Sequence, residues 1–227
     1  MDLTLTPIAT LHNNLPEKFG LPRQSGLVNT LRSRIVFAPG FRHAEALRGL
    51  EGYTHLWLIW HFSDNNSDGW SPTVRPPRLG GNKRMGVFAT RSPFRPNPIG
   101  LSCVRIEAIL RSTPDGPVIE VSGADLKDGT PIFDIKPYLP HTDAHPEAVG
   151  GFAEAVKDHA LEVVVPEAFR QTADDTYFTL LKELLAQDPR PSYQQDPDRT
   201  YGLQLLPYEI KFQVKNNTAV VTDMQKI

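Results

Sequence analysis

A chain of 227 residues, 40% hydrophobic, can bury one large core or a main core with a smaller companion, and its net charge of −2 excludes a general nucleic-acid coat. No stretch approaches the ~20 consecutive apolar residues of a membrane-spanning helix, and the start, MDLTLTPIATLH, lacks the basic opening and long apolar run of a secretory leader. The single cysteine, Cys103, rules out an internal disulfide and a multi-cysteine zinc site, so a reducing, cytoplasmic setting is expected.

In chain order, residues up to about 140 read as short strands punctuated by turns. LTLTPIATLH, SRIVFAP, HLWLIWHF, MGVFATR, LSCVRIEAIL, PVIEVSGADL and TPIFDIKPYL are rich in β-branched and aromatic residues and bounded by Gly, Pro, Asn or Asp. One early helix is expected over FRHAEALRGL, with Gly49 as its stop. Strict alternation places Val104, Ile106, Ala108 and Leu110 on one face, and Ile132, Asp134 and Lys136 on another. Short strands without regular intervening helices favour a barrel or sandwich. Beyond Pro140, HTDAHPEAVGG reads as a linker and LEVVVPEAF as a strand. DDTYFTLLKELLAQDP reads as an Asp-capped helix with Tyr177, Leu181, Leu184 and Leu185 on one face. TYGLQLLPYEIKFQVKNNTAVVTDM supplies two or three strands with NN as a hairpin turn. The expected fold is mainly β: an N-terminal β-barrel over residues 1–145 and a small α+β unit over 146–227.

The charge is unevenly spread. Residues 1–106 carry 13 basic and 6 acidic residues, and from Gly69 to Ile106 seven basic residues occur with no acid. Such a window points to a local anionic partner such as RNA or phosphate. It contains Arg75, Arg78, Lys83, Arg84, Arg91, Arg95 and Arg105, and includes the run FRPNPIG. Proline fixes φ and removes a donor, so this run is a stiff loop, suited to holding a side chain on target. There is no Walker loop, no dinucleotide-binding glycine fingerprint and no HExxH, and no metal is expected. LPRQSG is a polar loop after the first strand. In GADLKDGTPIFDIKPYLP, Asp134 and Lys136 read equally as a surface pair or as an acid/base couple.

GYTHLWLIW, RPPRLGGNKRMGVFATRSPFRPNPIGLS and GADLKDGTPIFDIKPYLP together resemble the TrmO (TsaA-like) family, over residues 1 to about 145. LLAQDPRPSY and the strands after it resemble the family's bacterial C-terminal extension. The resemblance implies a β-barrel tRNA methyltransferase that uses S-adenosylmethionine and works as a homodimer with its cofactor near the subunit interface. The expected substrate is threonylcarbamoyladenosine at position 37 of the anticodon loop, methylated on N6, in threonine tRNA. The family's cofactor contacts fall on Pro22, Arg23, Gln24, Phe62, Ser63, Asp64, Arg91, Leu101, Asp125, Leu126, Lys127 and Asp128. Ser63 and Asp64 stand where many relatives carry a histidine.

Within that frame, Asp125 or Asp128 suits the ribose or amine of the cofactor, Leu101 and Leu126 its apolar parts, and Arg91 or Arg23 its carboxylate. Asn97, Asp134 and Tyr138 are the candidates to assist the attacking nitrogen, and Tyr138 is also a stacking candidate. Arg75, Arg78, Lys83, Arg84, Arg95 and Lys136 are the candidates for RNA contact, with Trp70 and Phe94 as stacking surfaces. Two rival classes stay open: a non-catalytic RNA- or nucleotide-binding module of this fold, and a methyltransferase acting on an acidic metabolite.

Overall fold

The computed structural model describes residues 3–64, 69–76, 83–157, 159–191, 194 and 196–227. Six strands close an antiparallel barrel in the order β1-β2-β7-β6-β3-β8. They are β1 (Ala9–His12), β2 (Arg32–Phe37), β3 (His55–His61), β6 (Ile99–Leu110), β7 (Val118–Ser122) and β8 (Thr130–Pro137). Two further strands, β4 (Thr73–Val74) and β5 (Met85–Gly86), pair as a separate ribbon. In β3, HLWLIWH alternates cleanly: Leu56, Leu58 and Trp60 are buried, while His55, Trp57, Ile59 and His61 face outward. The barrel core joins them to Leu11, Ile35, Val104, Ile119, Val121, Leu126 and Ile132.

Two bulges change the alternation read from the sequence. In β6 the register shifts between Ile106 and Ala108, so Ile109 packs on the core and Leu110 is exposed. The inward row therefore does not run from Val104 to Leu110. A second shift, opposite Ile59 and Trp60, puts Ile132 in the core but Asp134 and Lys136 outside, where they pair at 3.0 Å. The expected helix over FRHAEALRGL is instead a series of single 3₁₀ turns, at Pro39–Phe41, Ala44–Leu47 and Leu50–Gly52. These turns have no side-chain caps, and Gly49 breaks them with φ +86°. LTLTPIATLH and MGVFATR pair only over Ala9–His12 and Met85–Gly86. The expected linker holds one helical turn, α1 (Pro140–Asp143).

The C-terminal part is a four-stranded sheet, β10 (Tyr201–Leu205), β11 (Tyr208–Lys215), β12 (Thr218–Lys226) and β9 (Glu162–Val164), with β9 parallel to β12. Helix α2 (Asp175–Ala186) begins as its sequence predicts: the Asp174 carboxylate accepts from the Tyr177 amide at 2.7 Å. Asn216 and Asn217, with φ +48° and +63°, form the tight turn between β11 and β12. Between β1 and β2 the chain leaves the barrel. There Leu15, Val28 and Leu31 enter the core of the C-terminal sheet, with Phe19 and Leu21 packed against it. The two cores are thus joined through an N-terminal excursion.

Candidate functional site

The length difference between β6 and β7 creates the site. β7 pairs with β6 only from Arg105 onward, so among the described residues the first half of β6 has one edge without a strand neighbour. The amide of Cys103 points out of that edge and donates to Ser25 Oγ at 3.2 Å. Leu101 has the same parity, so its N–H and C=O face the same edge. Its side chain, 56% exposed, stands on the outer face of the barrel.

Asp125 follows the end of β7 and turns its carboxylate onto this edge. Ser102 Oγ donates to it at 2.6 Å and itself accepts from Trp60 Nε1 at 3.0 Å. Burial pushes the Asp125 carboxyl above its ordinary range, against the opposing pull of Ser102, of the Ser25 backbone and of the nearby Arg91. Arg91 donates to Gln24 Oε1. Gly26 N donates to Gly123 O at 2.8 Å, laying the LPRQSG loop beside the turn before Asp125. Gln24, Arg91, Leu101 and Asp125 therefore converge. Ser25 and Ser102 join them, although neither is a candidate on sequence grounds. The one signal for Ser102 is a lone hydroxyl at an inward position between Gly100 and Val104.

Other cofactor candidates have different surroundings. The Arg23 side chain donates to backbone carbonyls beyond α2, those of Gln187 (3.1 Å), Asp188 and Arg190 (3.2 Å). Pro22 is buried, and the Leu126 side chain lies in the barrel core while its carbonyl accepts from Asn13 Nδ2 at 2.9 Å. Asp128 accepts from the Asn13 amide at 3.0 Å and meets His12 at 3.1 Å. Lys127 pairs with Asp64 at 2.7 Å, which holds the Asp64 carboxyl below its usual range. Phe62 packs on Trp60 with ring centroids 4.3 Å apart, and the Ser63 amide donates to His61 O.

A shallow cleft of about 370 Å³ adjoins the open edge on the outer face of β6, β3 and β8. Trp57, Ile59 and Leu101 line it, with Lys136, Thr142, Asp143 and His145. Leu101 thus belongs to both places, by its backbone to the edge and by its side chain to the cleft. Asp143 accepts from the Leu139 amide at 2.9 Å and from Trp57 Nε1 at 2.8 Å, which holds the indole and lowers the Asp143 carboxyl pKa. Tyr138 packs against Trp57 at 5.7 Å between ring centroids. Asp134 lies on the same outer face, tied to Lys136. Asn97 is exposed in the proline loop just before β6, and its carbonyl accepts from the Ile99 amide at 2.7 Å.

The basic candidates divide as well. Arg75, Lys83 and Arg84 are exposed beside the β4–β5 ribbon, where Arg84 donates to Thr73 Oγ1 at 2.8 Å. Arg78 lies outside the described residues. Arg95 turns back on its own loop, donating to the carbonyls of Thr90 (3.1 Å) and Ser92 (3.3 Å). It stiffens the FRPNPIG run together with the prolines. Trp70 and Phe88, 50% and 74% exposed, stack at 6.2 Å beside the ribbon. Phe88 is masked in the sequence by its strand-like neighbours. Phe94 is also exposed. No described helix is long and apolar enough to cross a membrane.

Comparison with known proteins adds independent findings. The family model for the tRNA-methyltransferase O N-terminal domain matches residues 10–144, and that for the TrmO C-terminal domain matches 158–227. The chain is 40% identical over 215 residues to the tRNA (adenine(37)-N6)-methyltransferase of Escherichia coli K12, covering 91% of each. It is 41% identical over 212 residues to a putative S-adenosylmethionine-dependent methyltransferase of Pseudomonas aeruginosa, covering 90% of each. A crystal structure of TrmO from Pseudomonas aeruginosa superposes with a TM-score of 0.76 at 32% identity, over 99% of this chain and 100% of that one.

Proposed function

The chain belongs to the tRNA-methyltransferase O family, and from that premise we infer that it is a tRNA methyltransferase acting on N6 of the adenine at position 37, next to the anticodon. The observation that carries the reading is the meeting of two half-sites at Leu101: an open strand edge with a largely buried carboxylate, and an aromatic cleft.

The edge fits S-adenosylmethionine chemically. The Leu101 backbone offers one donor and one acceptor to a nucleoside, Asp125 an anionic acceptor for hydroxyls or an ammonium, and Arg91 a cation for a carboxylate. The group supplies an electrophilic methyl on a sulfonium sulfur. Everything else falls to the chain. The cleft over Trp57, Ile59 and Leu101 takes the flipped base, since anticodon-loop bases splay readily and stack on aromatic side chains. Lys136 at its rim offers a cation to the carboxylate of a threonylcarbamoyl group. Holding the N6 nitrogen in line with the edge supplies most of the acceleration. That nitrogen is a weak nucleophile, and the Asn97 amide oxygen, in the stiff loop between Pro96 and Pro98, is assigned as the hydrogen-bond acceptor that steadies its N–H as charge develops. Tyr138 backs the cleft by packing on Trp57, and Asp134 holds Lys136 at its rim.

The ribbon bearing Arg75, Lys83 and Arg84 meets phosphates, while Trp70 and Phe88 stack on a neighbouring base. Threonine tRNA is the proposed substrate. A second copy of the chain packs against the exposed Ile99 beside the cleft, giving a homodimer. The test is transfer of labelled methyl from S-adenosylmethionine to bulk tRNA, set against a small-molecule extract. Label in the tRNA alone supports the reading. Label only in the extract makes the protein a metabolite methyltransferase, and tRNA binding without transfer makes it a binding module.

A further inference from the structure

Arg23 and Gln24 are neighbours, yet their side chains serve opposite parts of the molecule. Gln24 accepts from Arg91, Ser25 accepts from the Cys103 amide, and Gly26 donates to Gly123, all on the barrel side. Arg23 points the other way, into three carbonyls that follow the last turn of α2. A cation there is favoured twice: it gives the Gln187, Asp188 and Arg190 carbonyls a charged donor, and it meets the negative end of the helix dipole.

The carbonyls it grips are themselves fixed. Asp188 is buried and sits at φ +48°, a left-handed conformation uncommon outside glycine. Arg190 clamps its carboxylate with bonds of 2.8 and 3.0 Å, and His159 adds a contact at 3.2 Å. The rest of the excursion is anchored to the same unit. Phe19 stacks on Tyr201 and Phe212, each at 6.4 Å. Gly20 passes so close to Leu203 that a Cβ would lie 2.0 Å from its Cδ1. Thr30 donates to Glu183 at 2.8 Å from its hydroxyl, and the Leu206 amide donates to Asn14 O at 2.9 Å.

The segment that walls the open edge of β6 is therefore shaped by the C-terminal unit. We propose that this unit is a working part of the methyl-donor site, and that Arg23 is its positioning residue, holding Gln24 and Ser25 against the barrel without touching the donor. This rests on reading the LPRQSG loop as part of that site. The C-terminal unit then tunes donor affinity through a loop it does not itself contain.

The experiment measures S-adenosylmethionine binding and steady-state methylation of tRNA for the full chain and four variants. Asp125→Asn checks the reading itself: wild-type binding that weakens in this variant keeps the donor site where it is drawn. With that in hand, Arg23→Ala should raise the donor dissociation constant and KM by about two- to thirtyfold, with kcat at saturating donor and tRNA affinity near wild type. Arg23→Lys should recover part of the loss, because one ammonium reaches fewer carbonyls. Arg190→Gln, which loosens the gripped carbonyls from the C-terminal side, should shift donor binding in the same direction. If Arg23→Ala weakens binding but Arg190→Gln does not, Arg23 touches the donor directly and the proposal is overturned. Unchanged donor binding in folded Arg23→Ala and Arg23→Lys proteins overturns it too. If Asp125→Asn binds as wild type does, the donor reading fails first and the proposal with it.

Discussion

Replacing Asp125 by asparagine should separate stability from function. Asparagine keeps the shape and an acceptor for Ser102, whose hydroxyl lies 2.6 Å away, and removes only the charge. Burial raises the folded-state pKa of Asp125 above its unfolded value. The native state therefore holds the proton more tightly, and its stabilising effect is full below about pH 4 and lost as pH rises through the elevated folded value. At neutral pH the buried carboxylate weighs against folding, so Asp125→Asn should melt at the same temperature or higher. Each kcal/mol relieved is worth roughly 2–4 °C in a chain of this size. Donor binding should move the other way. Losing one charge-assisted hydrogen bond costs about 1.5–3 kcal/mol, or roughly ten- to a hundredfold in affinity. Calorimetric titration with S-adenosylmethionine and thermal unfolding between pH 4 and 8 measure both. A variant that binds the donor normally, or one that melts several degrees lower at neutral pH, would refute the reasoning.

Other expectations follow from single interactions. In Gly100→Ala the new Cβ would lie 2.2 Å from the Trp60 indole. Urea unfolding should show a loss of about 1–3 kcal/mol, and donor affinity should fall as Trp60 is pushed off Ser102. Arg75→Ala with Arg84→Ala should leave donor binding intact and reduce the salt dependence of tRNA binding, by about one unit of slope for each phosphate no longer neutralised. Burial opposes ionisation of Asp188, but Arg190 and His159 hold its carboxyl below the usual range. Its contribution is present above about pH 4 and lost as pH falls through the lower folded value, so acid melting curves should fall more steeply for wild type than for Asp188→Asn.

Legibility followed how local the controlling physics was. The β3 strand, the Asp174 cap and the Asn216–Asn217 turn each depend on a few adjacent residues, and all three are seen in the structure. The two bulges were not readable, because a register shift is decided by the partner strand: two-residue alternation carried past Ile106 or Ile132 puts the wrong side chains inside. The early helix failed because its few apolar residues pack through separate turns on the barrel. At the candidate site, Asp125 and Arg91 came from the resemblance, and their meeting with Leu101 depends on β7 being shorter than β6, a tertiary fact. The direction of Arg23 was beyond local reading too, since its partners lie more than 160 residues away in sequence.

The most direct test of the central claim is nucleoside mass spectrometry of tRNA from a strain lacking this gene, incubated with S-adenosylmethionine and with or without the protein. The account predicts one added methyl on threonylcarbamoyladenosine, dependent on the protein and on Asp125. A methyl on another nucleoside, or none with folded protein and intact tRNA, would contradict it.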